Sequence, residues 1–273
     1  MNHLAVIGDP IHHSLSPVMH IAALKDKKLS DVYDYRAIHV QPHLLQTFVE
    51  TLNKNGITGF NVTLPHKIPI ISYLDKLDRT AQDIRAVNTV VNKNSELIGY
   101  NTDVQGFIES LDDNNINYKN KRALIIGAGG AAQAVVYGLL KAGTTIEIFN
   151  RTKAKAYILK KRFDTIGSIS VQNDLKTDNS DIIINTTSVG MNNIDSPVPA
   201  KFISTQHEVV DIIYNPFMTI LLQEAQKKHC HYVNGLDMLI SQGALAFRLF
   251  TGIKPNKLIM KEALLSHFKN QSS

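Results

Sequence analysis

Apolar residues along this chain fall into short runs of strand length that alternate with longer stretches at helical spacing. Leu4 to Gly8 is the first strand candidate. Ser16 and Pro17 open a helix, a capping hydroxyl followed by proline at the first helical position, and Met19, Ala22, Ala23 and Leu24 continue it. Val32 to Val40 reads as a second strand and Pro42 to Asn53 as a second helix. Gly59 to Thr63 is a third strand, broken at Leu64-Pro65-His66-Lys67. Two short helical stretches follow, and then Ala86 to Val91 and Leu97 to Tyr100 make a strand pair turning at Asn92 to Ser95.

Asp103 to Leu111 reads as a linking helix. Beyond it, Ala123 to Ile126 is a buried strand, Ala131 to Lys141 a helix lined with Ala, Val and Leu that Gly143 stops, and Thr145 to Phe149 another buried strand. Ile182 to Asn185 and Val209 to Ile213 are further strands, each ending in polar residues, and Tyr232-Val233-Asn234 precedes Gly235. Met238, Leu239, Ala244, Leu245, Phe247 and Leu249 suit a long apolar-faced helix, Lys257 to Lys269 a last amphipathic one, and Asn270 to Ser273 a frayed tail. Strands alternating with helices predict an α/β protein with mostly parallel sheets covered on both faces. A chain of 273 residues exceeds one ordinary core and suits two domains.

Between the strand at Ala123 and its helix stand Gly127-Ala128-Gly129-Gly130. Gly127, Gly129 and Ala132 fit G-x-G-x-x-A: a glycine for the tight turn, a second for close approach of backbone to a pyrophosphate, and a small residue for helix-strand packing. The helix N-terminus then offers free N–H groups to the phosphates. After the next strand an NAD site usually places Asp or Glu for the ribose hydroxyls, but this chain has Asn150-Arg151-Thr152, with Lys153 and Lys155 behind. A carboxylate repels a 2′-phosphate and a guanidinium binds it bidentately, so the expected cofactor is NADP.

Composition narrows the setting. Hydrophobic residues make up 44% and charged residues 19% of the chain, as in a globular protein. The net charge of +5 comes without a dense Lys/Arg block interleaved with aromatics, so anionic small molecules are expected as ligands and nucleic acid is not. Lone Cys230 excludes an internal disulfide framework and suits a reducing compartment. The apolar run at the N-terminus is too short for a signal peptide, and the glycine cluster and Gln133 divide the one stretch of membrane-spanning length. A cytoplasmic protein without a membrane partner, monomer or homodimer, is the expectation.

An NADP domain implies hydride transfer, so the rest of the chain must exchange a proton with the alcohol or ketone oxygen and hold the substrate. Asn61-Val62-Thr63-Leu64-Pro65-His66-Lys67 puts Asn61 and Thr63 on one side of a strand, with Lys67 just past its carboxyl end. A lysine ammonium can donate to a developing alkoxide. Asp103, in Tyr100-Asn101-Thr102-Asp103, could cap the following helix or, across a cleft from Lys67, hold the ammonium and accept from a substrate hydroxyl; that pairing is not visible in the sequence. Ser14 and Ser16 ahead of a helix could make a carboxylate socket, and Ser16 serves equally as a plain cap. Asn88, Tyr214 and Gln242 are further hydrogen-bonding candidates. His12, His13, His20 and His66 match no zinc spacing, and no metal is expected.

Over nearly its whole length the chain resembles the shikimate dehydrogenase family. The stretches that carry the resemblance are GDPIHHSLSPVMH from Gly8, NVTLPHK from Asn61, AVNTV from Ala86, GYNTD from Gly99, GAGGAA from Gly127, NRT from Asn150, TSVGM from Thr187, YNP from Tyr214 and GLDMLISQGALAF from Gly235. The resemblance implies NADPH-dependent reduction of 3-dehydroshikimate to shikimate, with Lys67 and Asp103 as the catalytic pair. It implies that Ser14 and Ser16 hold the substrate carboxylate and that Asn61, Thr63, Lys67, Asn88, Asp103 and Gln242 hold the ring hydroxyls, with Tyr214 nearby. Gly127, Ala128, Gly129, Gly130 and Ala131 would take the pyrophosphate, Asn150, Arg151, Thr152 and Lys155 the adenosine phosphate, and Ile212 and Gly235 the nicotinamide side. It further implies a substrate domain over 1–102, a Rossmann-like NADP domain over 103–236, and C-terminal helices over 237–273 that return to the substrate domain. One departure is Ile21, where the family commonly has Asn; inside a helix, it is expected to be a packing change. Two other readings compete: a quinate/shikimate dehydrogenase, and a non-catalytic NADP sensor, against which intact Lys67 and Asp103 speak.

Overall fold

The structure is a computed structural model that describes residues 1–271. Contacts divide the chain into two units, Met1–Thr102 joined by the chain from Ile240 onward, and Asp103–Leu239. Ser272 and Ser273, half of the tail expected to fray, lie outside the described residues, whereas Asn270 and Gln271 continue the last helix.

In the first unit, β1 (Asn2–Gly8) leads to α1 (Ser16–Asp26), β2 (Tyr33–His39), α2 (Leu45–Glu50), β3 (Ile57–Val62), β4 (Lys76–Leu77), α3 (Arg79–Ile84), β5 (Thr89–Lys93) and β6 (Glu96–Tyr100). The sheet order is β2-β1-β3-β5-β6-β4. β1 runs parallel to both β2 and β3, while β5 is antiparallel to β3 and to β6. Leu4 to Ile7 are buried without interruption, as a central strand covered on both faces requires. On one face Ile7, Val40, Leu52, Phe60, Ile70 and Val90 form a core. The β5–β6 hairpin turns on Asn94 and Ser95, both at positive φ, the backbone that suits the twist of a two-residue loop.

Three expectations need correction here. Ser16 is already helical and caps nothing; Leu15 holds the cap position, and Ser14 Oγ accepts the Ser16 N–H at 3.3 Å. The helix expected over Pro42 to Asn53 is a 3-10 turn, Pro42–Leu44, followed by the short α2. Ile21 is 38% exposed on α1, so this residue is a surface change and not a repacked interior.

The second unit runs α4 (Asp103–Asp113), β7 (Arg122–Ile126), α5 (Gly130–Lys141), β8 (Thr145–Phe149), α6 (Lys153–Phe163), β9 (Ile169–Val171), β10 (Ile182–Asn185), β11 (Glu208–Asp211), α7 (Ile220–Lys227) and β12 (His231–Val233). All six strands are parallel, in the order β12-β11-β10-β7-β8-β9. This is the doubly wound dinucleotide-binding arrangement, with the strand order reversing between β7 and β10, where such sheets open a crevice at the carboxyl ends. The expected α/β class, a mostly parallel sheet followed by a Rossmann-like one, is what the structure shows.

Two helices close the chain, α8 (Leu236–Thr251) and α9 (Lys257–Gln271). From Ile240 they belong with the first unit, where α9 packs on α1 and Phe250 lies against Gly59 of β3. Among the described residues no helix is long and apolar enough to cross a membrane.

Candidate functional site

The second unit prepares a phosphate site at the end of β7. Gly127 has φ +112°, and a β-carbon there would stand 2.6 Å from Thr186 Oγ1, so both backbone and space demand glycine. Gly129 and Gly130 face open space instead, and Gly129, at the cap of α5, satisfies no N–H with a side chain. A helix start with unsatisfied donors, approached by bare backbone, fits a dinucleotide pyrophosphate. Ala128 and Ala131 are half-buried along the same turn. At the neighbouring end of β8, Arg151, Thr152 and Lys155 are exposed, and Asn150 Nδ2 donates to the Thr152 carbonyl at 2.8 Å, which shapes the loop that presents Arg151. No carboxylate occupies this loop, so the residues present fit a phosphorylated ribose.

A buried carboxylate ties the next two loops together. Asp211, at the end of β11, accepts from Asn185 Nδ2 and the Ile213 N–H, each at 3.0 Å, and from Thr219 Oγ1 at 2.7 Å. Burial pushes the Asp211 carboxyl up to about 6, against the lowering influence of those three donors. Asn185 in turn accepts from the backbone and hydroxyl of Thr187. Half-buried Ile212 is therefore held beside Gly235, whose N–H donates to the Ile213 carbonyl at 3.0 Å. Tyr214 also lies in this unit, and burial raises its pKa.

The first unit carries a line of buried polar groups. Asn61 on β3 accepts the Tyr35 hydroxyl at 2.7 Å and donates through Nδ2 to Thr89 Oγ1 at 3.0 Å and to the Asn88 carbonyl at 3.3 Å. Asn88 Oδ1 accepts the Thr102 N–H at 2.8 Å, and Asn88 Nδ2 reaches Gln242 Oε1 of α8 at 3.5 Å. Hence Asn61, Asn88 and Gln242, far apart in sequence, are brought together. Thr63 is half-buried just past β3. Ser14 and Ser16 stand side by side through the hydrogen bond between them.

Lys67 is half-buried in the turn after β3, and its carbonyl accepts the Val87 N–H at 2.8 Å. The residue before it is pinned harder: buried His66 bonds through Nε2 to the Val40 carbonyl at 2.6 Å. Asp103 opens α4 at 9% exposure and belongs to the other unit.

Sequence reading missed Tyr35, Thr89 and Thr102, and treated His20 and His66 only as metal candidates. A signal existed for Tyr35: in VYDYRAIHV alternate positions share a face, so an aromatic with a polar tip must find a partner once that face is covered. For Thr89 and Thr102 none existed, because their partners lie on other strands.

Comparison with known proteins bears on the family and the fold. Residues 6–90 match the family model described as shikimate dehydrogenase substrate binding domain, residues 110–212 that of shikimate / quinate 5-dehydrogenase, and residues 235–265 that of the shikimate 5'-dehydrogenase C-terminal domain. The chain is 44% identical to the shikimate dehydrogenase (NADP(+)) of Methanocaldococcus jannaschii, over 96% of this chain and 95% of that protein. Among solved structures, a shikimate dehydrogenase in complex with NADP+ superposes with a TM-score of 0.91 at 41% identity, covering 98% of this chain and 96% of that one. The Thermus thermophilus enzyme in complex with NADP(H) and shikimate gives 0.90 at 38% identity, covering 96% and 98%.

Proposed function

Because this chain belongs to the shikimate dehydrogenase family, and is thus an NADP-dependent oxidoreductase interconverting 3-dehydroshikimate and shikimate on the route to the aromatic amino acids, we propose which of its residues carry each part of that reaction. Residues 1–102 with 237–273 bind the substrate, and residues 103–236 bind NADP. When bound, NADPH supplies the hydride. Gly127, Ala128, Gly129, Gly130 and Ala131 hold its pyrophosphate on the α5 N-terminus, and Arg151, with Asn150, Thr152 and Lys155, takes the 2′-phosphate. Ile212 and Gly235 border the nicotinamide.

Ser14 and Ser16 bind the substrate carboxylate. Asn61, Thr63, Asn88, Asp103 and Gln242 take the ring hydroxyls, with Tyr214 beside them. Lys67 donates a proton to the carbonyl oxygen as negative charge develops there, and Asp103 orients the ammonium and the same hydroxyl in the product. Lys67, left as a neutral amine, regains its proton from solvent before the next turnover. Reducing equivalents from NADPH and a lone cysteine both suit the cytoplasm.

The observation that carries this reading is the buried line from Asn61 through Asn88 to Gln242, which gathers neutral hydrogen-bonding groups suited to a polyol ring. Absorbance of the reduced nicotinamide, followed with shikimate and quinate against NADP+ and NAD+ in turn, tests it. Shikimate with NADP+ is expected to give the highest kcat/KM; a large preference for quinate with NAD+ would overturn the substrate and cofactor together.

A further inference from the structure

Tyr35 lies within β2, 4% exposed, and its hydroxyl donates to Asn61 Oδ1 at 2.7 Å; Ser16, one helical turn before His20 on α1, is its other polar neighbour. The ring of His20 stacks flat upon it, centroids 4.2 Å apart and planes 4° from parallel, and the rings of Phe247 and Phe250 each lie 6.1 Å from that imidazole. His20 is fully buried, and both its ring nitrogens are without a hydrogen-bond partner. The phenol is confined to two partners.

Proton accounting fixes the direction of each bond. Asn61 Nδ2 must face the Asn88 carbonyl, since the opposite amide orientation would set two acceptors against each other. Its Oδ1 therefore faces Tyr35, and the one phenolic proton goes to it. Toward Ser16 Tyr35 offers only lone pairs, so it can accept the serine hydroxyl while the site is empty and release it to a carboxylate.

We propose that Tyr35 is a positioning residue for the substrate, which registers Ser16 against Asn61 so that the carboxylate-holding and ring-holding groups keep a fixed spacing. The inference rests on the reading of Ser16 and Asn61 as substrate-binding groups. It adds a residue that touches neither substrate nor cofactor yet sets how well the acid end and the ring are held at once.

Tyr35→Phe keeps the stack on His20 and removes only the hydroxyl. Loss of one buried hydrogen bond predicts a rise of about fivefold to tenfold in KM for shikimate, with a smaller fall in kcat and KM for NADP+ within about twofold. An unchanged KM for shikimate, or a loss spread equally over shikimate and NADP+, would reduce Tyr35 to an ordinary interior residue and overturn the proposal. A second cycle does not depend on that variant folding. Ser16→Ala and Asn61→Ala, combined, should raise the shikimate KM by less than the product of their single effects, because they communicate through Tyr35; strict multiplication of the two effects would overturn the coupling. Wild-type protein in the same assay separates the two levels, since no turnover of shikimate with NADP+ there would remove the functional reading itself.

Discussion

A β-carbon placed on Gly235 would fall on the carbonyl group of Ile212. The obstacle is backbone and cannot rotate away, and the Gly235 N–H is meanwhile bound to the Ile213 carbonyl. Any side chain at Gly235 must therefore push the loop after β11 out of place. Gly235→Ala is expected to weaken NADPH binding at least tenfold, about 1.4 kcal/mol, and to lower the melting temperature. Fluorescence titration with NADPH measures the first effect; full affinity would show that this loop does not border the nicotinamide.

Lys67→Ala removes the proposed proton donor and leaves the backbone bond from Val87 to its carbonyl in place. General acid catalysis typically contributes about 10²–10⁴ in rate, so kcat should fall by that order while KM for shikimate stays within a few-fold. Near-normal kcat would mean that the proton travels by another route.

Arg151→Ala should weaken NADPH binding by about 10–100-fold, the worth of one charge-assisted bidentate contact at ~1.5–3 kcal/mol, and leave NADH nearly untouched. Competition between the two reduced cofactors in calorimetry reads the difference. If both weakened alike, Arg151 would be reading adenine or shaping the loop, and the 2′-phosphate would have another partner.

His20 predicts an acid limb in stability. Burial lowers its pKa from 6.5 to about 3 in the folded protein. A lowered folded-state pKa means that the unfolded chain binds the proton first, so the stabilisation is complete above the unfolded value and is lost as pH falls below it. Between pH ~7 and pH ~4 this amounts to roughly 3 kcal/mol. His20→Leu, followed by urea denaturation across that range, should show a flatter slope, with part retained because His207 is lowered in the same direction by burial. An unaltered slope would assign the acid sensitivity elsewhere.

The glycine turn, its strands and the Asn94-Ser95 hairpin were legible because each rests on local backbone demands, a positive φ or a close approach, that only certain residues meet. Among the elements that were not are β9, α6 and α7. Only Ile169 of β9 is buried, α6 shows solvent a run of lysines with Tyr157 and Ile158, and α7 follows a capping Thr219 that the apolar pattern does not mark. Of the proposed site residues, Lys67, Asp103 and the serines stood out by type and motif. The hydrogen bonds around Asn61 did not, since Tyr35 and Thr89 reach it from other strands, 26 and 28 positions away. Ser16 misled because Ser-Pro ahead of a helix looks like a cap whichever of its neighbours holds the cap position.

The grouping of the chain from Ile240 onward with residues Met1–Thr102 also has a consequence on the ribosome. Residues 103–239 leave the exit tunnel as one uninterrupted piece and can settle during translation. The face of the first sheet where Leu4 and Gly59 await Phe250, with Met19 of α1 awaiting Gly243, stays uncovered until α8 is made. The half translated first is thus the half completed last, and its exposed apolar face is where chaperones are expected to bind the nascent chain.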